Sequence, residues 1–308
     1  MTVEIRSWDV SVGHRVDGEP WKVRFIELEG SAGGPTTAFI AGIYGDKPLG
    51  CLAIHELRRR LAGSDLKGRV ILVPAANPPA FGTGTRISPD HLYLNRRFPG
   101  SPTGFVTDQI AHAIFTELVS LADCVIDLQP GTPVTAMRYI YDYGDPEFTA
   151  SFGYLPMFVG RPIEGQLSVV AAAKGLKSSL PEFSGGPVDD LSTGVEGCLN
   201  VLRYRGQLGG RMTGPKKLPV IRRWRSFHPS TAGILQYRYG PADVGKPVTR
   251  GLLGWVADIF TGARAEEFVL DEDGAILLLA TTTPATTQPG NLGLMIGFPE
   301  SEIEVPQV

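Results

Sequence analysis

Apolar residues recur along this chain at two spacings, every second residue and every third or fourth, and stretches of the two kinds alternate. Over residues 1 to 30 polar and apolar positions take turns, with Trp21, Val23 and Phe25 on one side, which predicts half-buried strands at a hairpin edge. The glycine-rich break from Gly30 to Pro35 closes that region. Thr37 to Ile40 then reads as a short buried strand, followed by a glycine turn over 41 to 48. Behind it Leu49, Leu52, Ala53, Leu57 and Leu61 fall at helical spacing, with Pro48 suited to the first turn and Gly63 to the stop. The cycle repeats: Val70 to Val73 is a buried strand, Ile110 to Leu121 an amphipathic helix, and Cys124 to Leu128 another buried strand. Such alternation predicts an α/β fold with a mixed, mostly parallel sheet and helices on both faces. Sites in such sheets lie at the carboxyl ends of strands, here segments 41 to 48, 74 to 100 and 129 to 132.

Beyond about residue 215 the pattern changes to short strand-like runs broken by glycine and proline, such as Gly251 to Val256 and Ala275 to Leu279. The expected organisation is therefore a catalytic α/β domain over 1–215 and a small, barrel-sandwich-like all-β domain over 216–308. The basic residues Lys216, Lys217, Arg222, Arg223 and Arg225 at the junction read as a solvated strand face.

Composition narrows the class. With 308 residues and 43% of them hydrophobic, the chain can bury two cores. A net charge of −3 gives no general attraction to nucleic acid or to an anionic membrane. Three cysteines without CxxC spacing argue against both a disulfide framework and a cysteine metal knuckle, and fit a reducing cytoplasm. The first residues lack a basic segment followed by an apolar run, so neither secretion nor a membrane anchor is expected. A homo-oligomer is left open.

Four segments carry chemistry. The turn Gly42-Ile-Tyr-Gly-Asp-Lys-Pro-Leu-Gly50 is one, and Asp127-Leu128-Gln129 ends a buried strand. The run from Arg86 to Gly100 contains Leu94-Asn-Arg-Arg-Phe-Pro-Gly100, and Glu182 lies in Leu180-Pro-Glu-Phe-Ser-Gly-Gly186. Arginine beside asparagine suits a carboxylate, because a guanidinium fork makes two parallel hydrogen bonds and the amide adds a neutral donor. Together these segments resemble the succinylglutamate desuccinylase/aspartoacylase family of zinc carboxypeptidase-like enzymes, in its G-x-H-G-D-E-x-x-G turn, its D-L-H strand end, its R…D…L-N-R-x-F-P-G loop and its G-x-P-x-x-T-x-E-x-G-G region, matched here by Gly175 to Gly186 without the Thr. The resemblance implies a zinc-carboxypeptidase-like fold. It gives Arg86 the role of polarising the scissile carbonyl, Asn95 and Arg96 that of holding the substrate carboxylate, and Glu182 that of general base.

At the family's three zinc positions stand Tyr44, Lys47 and Gln129. Zinc takes imidazole, thiolate or carboxylate, and a phenol, an ammonium and a neutral amide are none of these, so no zinc and no other cofactor is expected. The Lys47 ammonium can instead stabilise an oxyanion together with Arg86, with Tyr44 as proton donor or acceptor. Set between cationic neighbours, Lys47 can alternatively serve as an amine nucleophile. The expected activity is that of a metal-independent hydrolase or lyase on a small carboxylate-bearing molecule. The alternatives are a non-catalytic carboxylate-binding protein and a zinc amidohydrolase with relocated ligands that include His91. His91 lies in the Arg86 to Asn95 loop and reads first as a solvated residue or substrate contact. Cys51 reads as a small buried residue, and Asp46, Asp90 and Asp127 as loop-orienting carboxylates.

Overall fold

The structure, a computed structural model, describes residues 3–186 and 191–307, so the first two residues of the expected hairpin lie outside the described residues. An antiparallel hairpin of β1 (Glu4–Val12) and β2 (Trp21–Glu29) opens the fold. There follow β3 (Ala32–Ile40), α1 (Pro48–Leu61), β4 (Lys67–Val73), a short α2 (Pro78–Thr83), α3 (Val106–Leu121) and β5 (Cys124–Asp127). Next come β6 (Thr135–Met137), β7 (Tyr139–Asp142), α4 (Pro146–Ala150), β8 (Met157–Phe158), α5 (Leu167–Ala173), β9 (Lys177–Glu182) and α6 (Ser192–Tyr204). The C-terminal part contributes β10 (Lys217–Phe227), β11 (Gly233–Tyr237), β12 (Pro247–Val248), β13 (Gly251–Ala257), β14 (Arg264–Leu270), β15 (Ala275–Thr281), β16 (Ala285–Thr287) and β17 (Leu294–Glu304).

One 13-stranded sheet runs in the order β1-β2-β4-β3-β5-β9-β7-β8-β10-β17-β15-β12, with β6 branching from β15. Its centre, β4-β3-β5-β9, is parallel, and so is β7-β8-β10, while the outer strands are antiparallel. The second sheet, β14-β13-β11-β16, is antiparallel throughout. The C-terminal β region is thus stitched to the α/β part by strand pairing, since β10 hydrogen-bonds to β8. The basic run on β10 is a solvated face on which Arg223 meets Glu272 and Arg225 meets Asp271.

Helices cover both faces of the central sheet, and period-two strands decide which side chains they meet. Phe39, Leu72 and Ile126 face α1 and α6, where Ile54, Leu57, Leu61, Val195 and Leu202 close one core. Their sequence neighbours Ala38, Ile40, Ile71, Val73 and Val125 point the other way, against Ile110 and Ile114 of α3 and Leu167 of α5. The buried stripe of α1 is Gly50, Ala53, Ile54, Leu57 and Leu61. Leu52, expected on that stripe, is 49% exposed, because Ile54 occupies the face that the strand side chains demand. Among the described residues no helix is long and apolar enough to cross a membrane.

Leu57 is fully buried between α1 and the sheet. Leu57→Ala removes that contact and leaves a cavity, and it lowers the unfolding free energy by about 2–5 kcal/mol, read from urea denaturation.

Candidate functional site

The parallel strands β3, β5 and β9 are neighbours, and their carboxyl ends deliver the key side chains to one place. After β3 the chain turns at Gly42, whose φ of +68° is costly for any residue with a Cβ. The turn is clipped to the segment after β4, with the Asn77 N–H donating to the carbonyl of Gly42 at 2.9 Å. A Cβ on Gly45 would overlap the carbonyl of Ala80, so only glycine lets the turn pass there. Tyr44 and Lys47 are projected from this turn and are buried. After β5 the Gln129 N–H donates to the carbonyl of Pro181 at 3.0 Å, which sets Gln129 beside Glu182, the last residue of β9.

The result is a chain of buried polar groups. Lys47 Nζ lies 3.2 Å from Glu182 Oε2 and 3.4 Å from Gln129 Oε1. Gln129 Nε2 donates to both carboxylate oxygens of Asp127, at 3.1 Å each. Lys47 is 4% and Glu182 9% exposed, so water screens this pair poorly. Burial raises the Glu182 carboxyl above the usual carboxylate range, and the Lys47 charge opposes the shift. Asp127 is fully buried, and its carboxyl is pushed up to about 7 by burial against the restraining hydrogen bond from Gln129. Tyr44 forms the wall: Arg86 stacks its guanidinium 4.1 Å from the ring centroid, and Lys47 Nζ lies 5.4 Å away. Burial raises the Tyr44 phenol further above neutrality, against the opposing charges of Arg86 and Arg96.

The carboxylate-binding pair sits on a 3-10 turn over Leu94–Arg96. Asn95 is buried, and its Oδ1 accepts the N–H of Leu167 at 3.0 Å, so the outer end of the amide is its NH2. Arg96 is exposed and bonds the Asn95 carbonyl through Nη1 at 2.5 Å. Arg86 is half-exposed and lies 3.9 Å from Asp46 Oδ2. Asp90 ties the loop to the start of α3 by accepting both the N–H and the hydroxyl of Thr107, at 2.9 and 2.7 Å. His91 is exposed, at φ +63°, and its backbone N–H donates to Ser88. Cys51 is packed against the Pro74 carbonyl, and burial pushes its thiol up to about 11, which suits a structural residue.

Three tyrosines escaped the sequence reading. Tyr139 pairs in register with Glu182 across β7 and β9, Tyr141 continues the same face of β7, and Tyr143 follows just beyond the strand end. The Tyr139 and Tyr141 rings meet edge to face at 5.5 Å, and Tyr141 stacks on Tyr143 at 6.1 Å. Burial holds all three phenols above their ordinary value, and the Glu182 charge adds to the effect. The alternation Tyr-Ile-Tyr-Asp-Tyr over 139–143 is the signal that could have found them.

This donor set does not fit zinc. The phenol at Tyr44 keeps its proton, the ammonium of Lys47 lies against Glu182, and both ends of the Gln129 amide are engaged by Lys47 and Asp127. Among the described residues no group of three or more His, Cys, Asp or Glu is arranged to hold a metal ion.

With this geometry in view, the comparisons with known proteins become specific. Residues 33–158 match the model of the succinylglutamate desuccinylase/aspartoacylase catalytic domain. The chain is 30% identical over 283 residues to the N-alpha-acetyl-L-2,4-diaminobutyric acid deacetylase of Halomonas elongata, an alignment that covers 84% of this chain and 80% of that one. Its fold is similar to a succinylglutamate desuccinylase from Silicibacter sp. TM1040, with a TM-score of 0.84, 23% identity and coverage of 97% and 96% of the two chains. It is also similar to the product-bound ectoine utilization protein EutE (DoeB) from Ruegeria pomeroyi, with a TM-score of 0.82, 23% identity and the same coverage. The chain belongs to the succinylglutamate desuccinylase/aspartoacylase family, on a zinc carboxypeptidase-like α/β fold.

Proposed function

We propose that this chain is a hydrolase that removes an acyl group from a small N-acylated molecule bearing a carboxylate, and that it works without zinc, with the Lys47 ammonium as the positive charge of the site. The observation that carries this reading is the contact of Lys47 Nζ with Glu182 Oε2 and Gln129 Oε1, at the strand ends where the family resemblance implies a metal. The hydrolytic branch is supported by the Halomonas relative, whose name describes removal of an acetyl group from an amino acid nitrogen.

In this reading Arg96 and the Asn95 NH2 hold the substrate carboxylate. Arg86, half-exposed above Tyr44, and the Lys47 ammonium face the scissile carbonyl oxygen. Glu182 takes a proton from water as the water oxygen attacks the carbonyl carbon. The developing oxyanion is stabilised by Lys47, a buried cation poorly screened by solvent, and by the half-exposed Arg86. Glu182 then returns the proton to the leaving nitrogen, the C–N bond breaks, and an amine and a carboxylate depart. Tyr44, protonated at neutral pH, is a third donor toward the oxyanion. The amine-nucleophile role for Lys47 presumed a neighbourhood of cations, and the carboxylate of Glu182 at 3.2 Å favours the electrostatic role instead.

Turnover of an N-acetylated amino acid by enzyme dialysed against a zinc chelator should equal that of untreated enzyme, and loss of activity restored by added zinc would end the metal-free reading. Lys47→Met should lower kcat by about 10²–10³-fold, the cost of deleting one oxyanion donor, with circular dichroism confirming that the variant folds. Asp127 gives a pH signature. Its carboxyl titrates at about 7 in the folded chain against an ordinary 3.8, so the folded state binds the extra proton between those values. Stability therefore falls as pH rises through that window. Asp127→Asn should flatten the slope of unfolding free energy against pH there, measured by urea denaturation at several pH values.

A further inference from the structure

Beside the tyrosine face of β7 lies a cavity of about 540 Å³ lined by Tyr141, Phe158, Arg161, Ile163, Trp224 and Met295. Its walls come from β7, β8, β10, β17 and the segment between β8 and α5, so both parts of the chain build it. The rings interlock: Tyr141 meets Phe158 edge-on at 5.0 Å, and Phe158 lies tilted against Trp224 at 4.7 Å. Trp224 is 39% exposed, a large apolar surface left open on a cavity wall. Arg161 is exposed, and no carboxylate is among the lining residues.

Tyr141 connects this cavity to the chemistry. Its ring is a wall of the cavity and stacks on Tyr143, and its neighbour Tyr139 lies opposite Glu182. The charges of Glu182 and Arg96 both act on its phenol, so Tyr141 lies within electrostatic reach of the proposed base and the proposed carboxylate holder.

We propose that the cavity is an extension of the substrate site that receives an aryl group carried on the same molecule as the carboxylate. This inference rests on the hydrolase reading above and names its substrate class: N-acyl carboxylates with an aromatic ring, in place of small polar ones. Edge and face positions offered by Tyr141, Phe158 and Trp224 suit a planar ring, since aromatic pairs prefer edge-to-face and offset contacts. Arg161 at the rim can stack on the same ring. Among the described residues that line the cavity, a dianionic group finds one cation, Arg161.

The test measures kcat/KM of the full chain on N-acetylalanine, N-acetylphenylalanine and N-benzoylglycine, the last two placing the ring on the amino-acid side or the acyl side. The wild-type chain should prefer one ring-bearing substrate over N-acetylalanine, and which one identifies the end of the molecule that enters the cavity. Trp224→Ala, which opens a wall, and Ile163→Trp, which fills the space, should each reduce that preference ratio by roughly tenfold or more. A preference for N-acetylalanine, or an unchanged ratio in both variants, would overturn the proposal. If the wild type turns over none of the three, the hydrolase reading fails by itself, and calorimetric titration of the same compounds still decides the cavity. Tighter binding of a ring-bearing compound, weakened in both variants, upholds the aryl site, and equal binding of all three overturns it.

Discussion

An ammonium removed from water needs an opposite charge close by, and at the carboxyl ends of β3, β5 and β9 that charge is Glu182. The pair is held on two different strand ends, so its 3.2 Å separation is a property of the parallel sheet and not of either local segment. Taking two such ions out of water costs several kcal/mol each, and their mutual attraction offsets this only when further hydrogen bonds complete the surroundings. Gln129 supplies one of them. Its carbonyl faces Lys47, which obliges its NH2 to face Asp127, and the buried Asp127 is thereby satisfied in turn. From one ion pair the orientation of the whole polar chain follows.

The same arrangement explains how a family site can lose every zinc-binding side chain and remain an organised polar centre. A dication at those strand ends would face the Lys47 ammonium, whereas a single ammonium needs only one carboxylate and one carbonyl oxygen as neighbours. The rest of the site is built on other supports. Arg86 rests on the Tyr44 ring, Asn95 is pinned by the Leu167 N–H, and the loop between them is moored to α3 through Asp90. The Asn95 and Asp90 contacts involve none of the residues at the metal positions, whereas the Arg86 contact uses the ring of Tyr44, which is itself one of them. The anchoring of the loop at Asn95 and Asp90 therefore does not depend on the side chains at those positions.

Beside Glu182, Tyr139 and Tyr141 of β7 lead to a cavity that the C-terminal strands help to line. Because β10 joins the central sheet through β8, Trp224 and Met295 line the same cavity as Tyr141. The C-terminal β region thus shares a wall with the α/β part, beyond any role as an appended module.

Much of this was legible in the residues alone. Alternating strand and helix periods over 37–128 predict the parallel centre, since burial on both faces demands runs such as Val70 to Val73. The turn from Gly42 to Gly50 and the Leu94-Asn-Arg motif are local, and a local backbone path, with its glycines and loop-anchoring side chains, can be read from neighbouring letters. The sequence also determined that Tyr44, Lys47 and Gln129 are poor zinc ligands, because that is a matter of functional groups. Only the tertiary structure decided that Lys47 meets Glu182, 135 residues away, that Leu52 faces solvent while Ile54 faces the core, and that Tyr141 lines a cavity with Phe158 and Trp224. Those facts depend on which strands lie side by side and which face of each is buried, and strand order is a long-range property that no local spacing encodes.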